Sequence, residues 1–554
     1  MRYFIKNREQ KCTAFFITGK KRECSWEERI FLLLFAGMAV YYGYRMFALT
    51  PWYDELYTYY YFISRGPVYA AIHWPLPNNH VGYSALSACL GIFGSAPIAL
   101  RGVSYLCSLG SLVLLYRISR KCFAKGIALI PVFVFAGLYM VNQLAVQGRG
   151  YALVTFCYLT AILTLYHMVA EKKDSKRDYI CFGLSLVIAL WAIPSSLYVV
   201  MPICLIGGFL LLLQGEYRRL GRLIGVSLVS AVCTAGLYGI LWLAIGSNLL
   251  SKMPDGPFYT AGHIEIILHA PFRALSEGVS YMLDTPYIQS MTRQQFSDQA
   301  THWMLTLFDT QLAPLFGVLG KSWCVLLAAA LLLAAVCLIR KRGEPVFLEW
   351  YFVLTALLLA LALFIQCKLP YQRVFSFLGV WVALLDGWLV QRLADFLQRR
   401  IGSWKKGSAA GCVVVFALGF AGISCMGTFL DQSPYSLRDE LLADAYEQIE
   451  IEETDVVAVT DCDQEYLLLY LYGIGEERVT RQIEDADIVL LDKALLGLPY
   501  GHREAPEEWK FYLSKEEVEA QAAYLNENMT QVYENWQFIM FAENQAHMKG
   551  AFDF

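Results

Sequence analysis

The sequence predicts a polytopic α-helical membrane protein with a small α/β domain at its C-terminal end. Three observations carry that reading. The 554 residues are 57% hydrophobic and only 17% charged, with a mean hydropathy of +0.43, whereas a soluble domain carries about 25% charged residues. Apolar runs of about 18 or more residues recur from residue 30 to residue 429. Residues 431–554 break this pattern: they are acidic and alternate strand-like runs ("DVVAVTD", "ADIVLLD", "WQFIMFAEN") with helical polar stretches ("SKEEVEAQAAYLNENM").

Eleven spans are expected, at about 30–48, 97–117, 126–145, 151–170, 178–195, 197–214, 222–246, 321–339, 346–366, 371–390 and 409–429. The loops supply the orientation. Lys and Arg gather in the N-terminal segment and in the loops at 117–125, 172–177, 218–222, 340–342 and 392–406. The alternate loops are poor in them, so the positive-inside rule puts the first set in the cytoplasm. The N-terminus is then inside and the C-terminus outside. The basic segment 1–29 leads into the first span, which is expected to act as an uncleaved signal anchor. The membrane domain is expected over 30–430, with outer loops at 49–96 and 247–320, followed by an extracytoplasmic domain over 431–554.

Residues 81–94, "VGYSALSACLGIFG", are apolar but too short to cross a bilayer, and are expected to lie at the outer interface. Asp54 is expected to cap a helix that runs to Ser64 and stops at Gly66 and Pro67. Of the 15 cysteines, most sit in apolar runs and read as small buried hydrophobes. No spacing suggests a metal site or a disulfide framework.

Ionisable residues gather where the chain leaves the outer face. Asp54 and Glu55 follow span one, His80 lies in "PNNHVGY", and Arg101 in "ALRGVSYL" opens span two. Arg149 and Tyr151 lie in "QGRGYAL" between spans three and four, and Lys368 and Arg373 in "KLPYQRVF" between spans nine and ten. Charge at bilayer-edge depth is costly unless paired or functional. The plainer readings are an acid pair that caps a helix and faces water, and tyrosines 59–61 and Trp74 as interface-belt aromatics.

The order of these motifs resembles the membrane glycosyltransferases of the GT-C class. The acid pair, then "NNH-x-x-Y" before a short helix ending in "FG", then "ALR", then "R-x-Y" make the likeness. It is strongest to the bacterial branch of the protein O-mannosyltransferase and lipid A aminoarabinose transferase superfamily, over residues 30–170 and again near 368–379. The resemblance implies a GT-C fold in a bacterial plasma membrane and transfer of a sugar from a polyprenyl-phosphate carrier to an acceptor hydroxyl at the outer face. The acceptor is a glycan, lipid or protein, and no nucleic acid is involved. It implies Asp54 as catalytic base and outer cations on the carrier phosphate: Arg149 with Lys368 or Arg373. His80, Arg101 and Tyr151 join as substrate-binding residues, and Glu55 supports by binding substrate or a metal.

The chemistry agrees with those residue types. A hydroxyl attacks well only as a base takes its proton, and Arg suits a departing phosphate. A single displacement inverts the anomeric carbon. Glycines 148 and 150 are expected to let a ligand approach Arg149. The chain departs from its relatives at Gln147, where many carry Glu, and at His80, where aminoarabinose transferases carry Lys-Pro. The metal site is therefore unknown, and a divalent cation stays open. So do two rival readings, a transporter or flippase of lipid-linked saccharides and an inactive glycan-binding relative.

Overall fold

The computed structural model describes residues 25–74, 79–284, 290–312, 320–340, 346–400, 437–500 and 510–543. The first helix, α1, is Trp26–Ala48. Four short elements of the first outer loop follow: α2 (Tyr53–Tyr61), a 3-10 turn at Ile63–Arg65, α3 (Pro67–Ile72) and α4 (Val81–Cys89). Next come α5 (Ala96–Cys122), α6 (Ile130–Gly137), α7 (Tyr139–Leu144), α8 (Tyr151–Val169), α9 (Lys176–Ala192), α10 (Leu197–Leu213) and α11 (Tyr217–Lys252). The second outer loop holds α12 (His263–His269), α13 (Pro271–Asp284) and α14 (Arg293–Thr306), and then α15 (Gly320–Arg340), α16 (Phe347–Gln366) and α17 (Leu378–Arg400) complete the described membrane part.

Seven helices among the described residues are long and apolar enough to cross a membrane: Trp26–Ala48, Ala96–Cys122, Tyr151–Val169, Pro194–Leu213, Tyr217–Lys252, Ser322–Arg340 and Phe347–Gln366. They answer seven of the expected spans and make this a multi-pass membrane protein. The expected spans at 178–195 and 371–390 form α9, which is short, and α17, whose sequence includes Asp386, Gln391 and Arg392. The expected span at 409–429 lies outside the described residues.

The expected span at 126–145 is broken rather than continuous. A 3-10 turn at Ile127–Leu129 leads into α6, and the chain is extended at Leu138 before α7. A break at membrane depth needs its backbone groups satisfied from within. The Asn142 amide does part of this, donating to the carbonyls of Ala136 and Leu138. Arg45, buried in the last turn of α1, donates to the Asn142 carbonyl at 3.2 Å and to the Tyr41 hydroxyl at 3.1 Å.

Two expectations for the first outer loop change in detail. Trp52, not Asp54, is the N-cap of α2, and Asp54 sits inside its first turn. The α-helix ends at Tyr61 rather than Ser64, and the 3-10 turn carries the chain on to Gly66; there Gly66 takes φ +94°, open to glycine at no steric cost, and Pro67 opens the next helix. Helix α4 ends after nine residues, about 14 Å, and runs into a 3-10 turn at Leu90–Phe93.

Beyond the membrane part, residues 437–543 build a five-stranded sheet. Its strands are β1 (Val457–Ala458), β2 (Val479–Thr480), β3 (Ile488–Asp492), β4 (Thr530–Glu534) and β5 (Phe538–Ala542). Their order is β2-β1-β3-β5-β4. β1 pairs in parallel with β2 and β3, and β5 pairs antiparallel with β3 and β4. Every residue of β3 and β5 is buried, so both faces of the sheet centre are covered. Helices α18 (Leu437–Glu447), α19 (Cys462–Leu467) and α20 (Lys515–Asn528) accompany it.

This unit seats on α2. Leu56, Tyr57 and Phe62 share one hydrophobic core with Leu442, Val457, Ile488 and Phe538. Tyr466 lies within 6 Å of the rings of Tyr53, Tyr57, Tyr60 and Tyr61, and Tyr470 meets Tyr59 edge-on at 4.3 Å. The tyrosine run is thus a docking surface rather than an interface belt. Trp74 packs inward too, with Val81 and Tyr238.

A buried charge network ties the unit together. The Arg438 guanidinium meets Asp461 at 2.6 Å, Asp463 at 2.5 Å and Asp492 at 2.9 Å, and Lys510 adds a contact to Asp463 at 3.1 Å. Neighbouring Asp439 is buried beside them. Burial first, and the Asp463 charge second, push its carboxyl from an ordinary 3.8 to about 8. The folded state therefore holds a proton that the unfolded chain gives up above about pH 4. The stability this contributes is fully present below that pH and is lost as pH rises to about 8. Melting curves at pH 5 and pH 8 should show Asp439→Asn stabilising the protein at pH 8 and flattening the difference between the two. A pH response identical to wild type would contradict the buried, protonated carboxyl.

Candidate active site

Helix α2 is held by its own first turn. Trp52 is extended, and its backbone N–H donates to Glu55 Oε2 at 3.1 Å, closing the N-terminal turn. Two acids in that turn also suit the positive end of the helix dipole. They face different partners, as residues about 100° apart on a helix must.

Glu55 points inward and is fully buried. Arg101 of α5 grips it with two parallel bonds, Nε to Oε1 at 2.8 Å and Nη2 to Oε2 at 2.9 Å. With the Trp52 N–H already on Oε2, the Gly148 N–H adds a fourth bond, to Oε1 at 2.6 Å. Arg101 Nη1 donates in turn to the carbonyls of Met46 and Leu49, at 3.1 and 2.8 Å, at the end of α1. This pair binds α1, α2, α5 and the 147–150 loop into one frame. Both side chains spend these hydrogen-bonding groups inside the protein.

The two glycines of the loop are explained by the same crowding. A Cβ on Gly148 would lie 2.5 Å from Leu100 and 3.1 Å from Glu55 Oε1, and one on Gly150 would lie 2.8 Å from Ile193. They allow close approach of protein, where the sequence suggested a ligand.

Asp54 points the other way. Its Oδ2 lies 3.2 Å from Arg373 Nη2, in a 3-10 turn at Gln372–Phe375 between α16 and α17. Arg373 is half-buried and stacks between the rings of Trp52 and Tyr371, 4.7 and 4.8 Å from their centroids. Of the two cations expected at that turn, Arg373 reaches Asp54. Lys368 is half-buried and makes no ion pair among the described residues.

Arg149 lies behind Asp54 and is buried. Its Nη1 donates to Thr58 Oγ1 at 2.8 Å and approaches the Asp54 carbonyl at 3.5 Å. Its Nη2 stands 3.1 Å from Nε2 of His80, the N-cap of α4. The Gly150 N–H donates to His80 Nδ1 at 3.0 Å, and Tyr151 meets the imidazole edge-on at 5.3 Å. Burial, with the charges of Arg149 and Arg373, holds the imidazole well below its usual range, so it is neutral. The structure thus brings Asp54, His80, Arg149, Tyr151 and Arg373 together from four segments of chain, with Glu55 and Arg101 as their foundation.

The donor set does not fit a divalent cation. Each acid meets a guanidinium, the two carboxylates point apart, and Gln147 supplies a neutral amide. Among the described residues no group of three or more His, Cys, Asp or Glu gathers elsewhere.

Two groups were not legible in the sequence. Thr58 is an ordinary helix residue there, yet it holds Arg149. Lys510 sets its ammonium 4.9 Å over the Tyr53 ring, so the C-terminal unit reaches the residue before Asp54.

Comparison with known proteins bears on this geometry. Residues 81–242 match the family model for dolichyl-phosphate-mannose-protein mannosyltransferase, a segment that contains Arg101, Arg149 and Tyr151. A search of curated proteins found no match. In structure the chain is similar to ArnT from Cupriavidus metallidurans in the apo state, at 14% identity and a TM-score of 0.51, covering 94% of this chain and 98% of that one. It is also similar to the apo oligosaccharyltransferase of Archaeoglobus fulgidus, at 13% identity and a TM-score of 0.50, covering 92% and 80%. By fold over nearly its whole length, and by the family model over residues 81–242, the chain bears out its resemblance to the GT-C class of membrane glycosyltransferases.

Proposed function

We propose that this protein transfers a monosaccharide from a polyprenyl-phosphate carrier to an acceptor hydroxyl, with inversion, at the outer face of a bacterial plasma membrane. The observation that carries the reading is Asp54 held on the half-buried Arg373, beside the buried cation Arg149. The family description, which names a dolichyl-phosphate-linked mannose, supports the class of donor.

In the proposed reaction an incoming carrier phosphate competes with Asp54 for the Arg373 guanidinium. Asp54 is thereby released to accept the acceptor hydroxyl proton. The acceptor oxygen forms its bond to the anomeric carbon as the bond from that carbon to the phosphate oxygen breaks. The electron pair leaves with the polyprenyl phosphate, whose charge Arg373 and Arg149 take up. Glu55 is occupied by Arg101, so among the described residues no second acid stands ready beside Asp54 as a nucleophile, and one displacement inverts the centre. No step needs a metal.

In this reading the eleven expected spans leave the N-terminus in the cytoplasm and carry residues 431–554 outside, on the side of the acceptor. Lys510 clamps Tyr53 and so sets the first turn of α2. A shift of about 1 Å at a reacting group costs up to about 100-fold. Lys510→Met should therefore lower kcat while leaving the donor KM in place, and Lys510→Arg should recover most of it. Steady-state kinetics with varied donor will show this, and equal kcat in both variants and wild type would remove the clamp.

The test is a panel of radiolabelled polyprenyl-phosphate sugars, offered to purified protein in nanodiscs with a membrane extract as acceptor. Release of free lipid phosphate from one donor is expected. Release from none, with acceptor present, would favour a transporter of lipid-linked saccharides.

A further inference from the structure

Helix α14 of the second outer loop has the sequence "RQQFSDQATHWMLT". Phe296, Ala300 and Trp303 are half-buried, and every other residue from Arg293 to Leu305 is exposed. With buried Leu307 just beyond, these four recur at the spacing of a single helix face. Its contacts fall on the end of α16, where Phe296 lies 6.5 Å from the Phe364 ring, and on the turn that follows, which carries Arg373. Trp303 meets that turn on both sides of Arg373. Its indole Nε1–H donates to the Pro370 carbonyl at 3.0 Å, and its own carbonyl accepts from Gln372 Nε2 at 3.3 Å. Its ring meets Phe375 edge-on at 5.2 Å. The Met291 N–H, just before α14, adds a bond to the Cys367 carbonyl at 3.0 Å.

The turn needs such a tie. It leaves α16 through Cys367 at φ +47°, a left-handed conformation that costs any residue with a Cβ. Arg373 itself is a long side chain with much rotamer freedom to lose, so its guanidinium is aimed only if its backbone is held. The bond to Pro370 fixes the planar peptide group that leads into Tyr371, and Tyr371 is one wall of the stack around the guanidinium. We propose that Trp303 is the positioning residue for Arg373: it ties the 370–375 turn to α14 so that the guanidinium stands on Asp54, where the carrier phosphate is to be taken up. The phosphate role rests on the transferase reading above, whereas the tie between Trp303 and the turn does not.

Phenylglyoxal, which modifies guanidinium groups, tests the tie without any carrier. It is applied to the full chain in nanodiscs, and labelling of Arg373 is read by peptide mass spectrometry against that of exposed Arg65. Trp303→Phe keeps a ring against Phe375 and deletes the Nε1–H, and Gln372→Ala deletes the reciprocal bond. Each should raise Arg373 labelling about 5-fold, the worth of one hydrogen bond, with Arg65 labelling and melting temperature unchanged. Unchanged Arg373 labelling in Trp303→Phe overturns the proposal. So does a rise at both arginines with a lowered melting temperature, which marks a loosened fold rather than a released turn. If Trp303→Phe fails to fold, Gln372→Ala decides on the same terms. Turnover gives a second reading. Trp303→Phe should lower kcat by a similar factor and add no loss in an Arg373→Ala background, since residues acting through one group are not additive; equal fold-losses in both backgrounds overturn the proposal. Absence of sugar release from every donor would count against the transferase reading alone, with the labelling deciding the tie.

Discussion

Asp54→Asn should abolish sugar transfer while the protein stays folded and still binds its carrier. Loss of a general base costs about 10²- to 10⁴-fold, which leaves no turnover above background in a donor-release assay. The fold should survive. Asp54 is paired with Arg373, whose side chain is 21% exposed, so the stranded guanidinium keeps access to water and the loss is under about 1 kcal/mol. The two effects separate in one experiment. Carrier affinity should hold or rise, because asparagine does not compete with phosphate for Arg373, and only kcat should fall. A variant that transfers within about 3-fold of wild type, well short of the loss expected of a base, would end the assignment of Asp54.

Glu55→Gln and Arg101→Met should behave in the opposite way, losing the fold first. Their pair is 0% and 3% exposed on its side chains and is bonded through both guanidinium edges. Removing one partner of such a pair leaves a buried charge uncompensated and costs about 3–5 kcal/mol. Thermal melts in detergent should fall sharply for each single variant, and activity should fall with them. If Glu55 instead held substrate or a metal, Glu55→Gln would melt like wild type and show a raised KM. These two adjacent acids therefore make a paired test: one substitution stops chemistry in a sound fold, the other unmakes the fold around intact chemistry.

Much of the architecture was legible in the sequence because its signals are local. An apolar run declares a membrane helix from its own composition, as Trp26–Ala48 and Phe347–Gln366 do. Gly66 and Pro67 mark a helix stop by backbone sterics alone. The alternating strand and helix runs after residue 431 indicate a sheet unit, which the strands from Val457 to Ala542 supply. The candidate site was partly legible for the same reason: charge at a bilayer edge stands out against its neighbours wherever the chain goes next.

The choice of partner was decided only by the tertiary structure. Nothing near Asp54 or Glu55 tells which will meet Arg101 and which Arg373; the packing of α5 and of the turn after α16 against α2 makes that choice. The glycines beside Arg149 signal closeness without saying to what, and Leu100, Glu55 and Ile193 turn out to be the answer. The segment 126–145 is apolar enough for a span, yet its course is broken. Tyrosines 59–61 suit a membrane interface and a protein core equally well, since each setting offers an apolar body and a polar edge. An aromatic ring carries no address, and an ionic side chain attracts every opposite charge. Which environment each one finds depends on distances between residues far apart in the chain, and those exist only once the chain has folded.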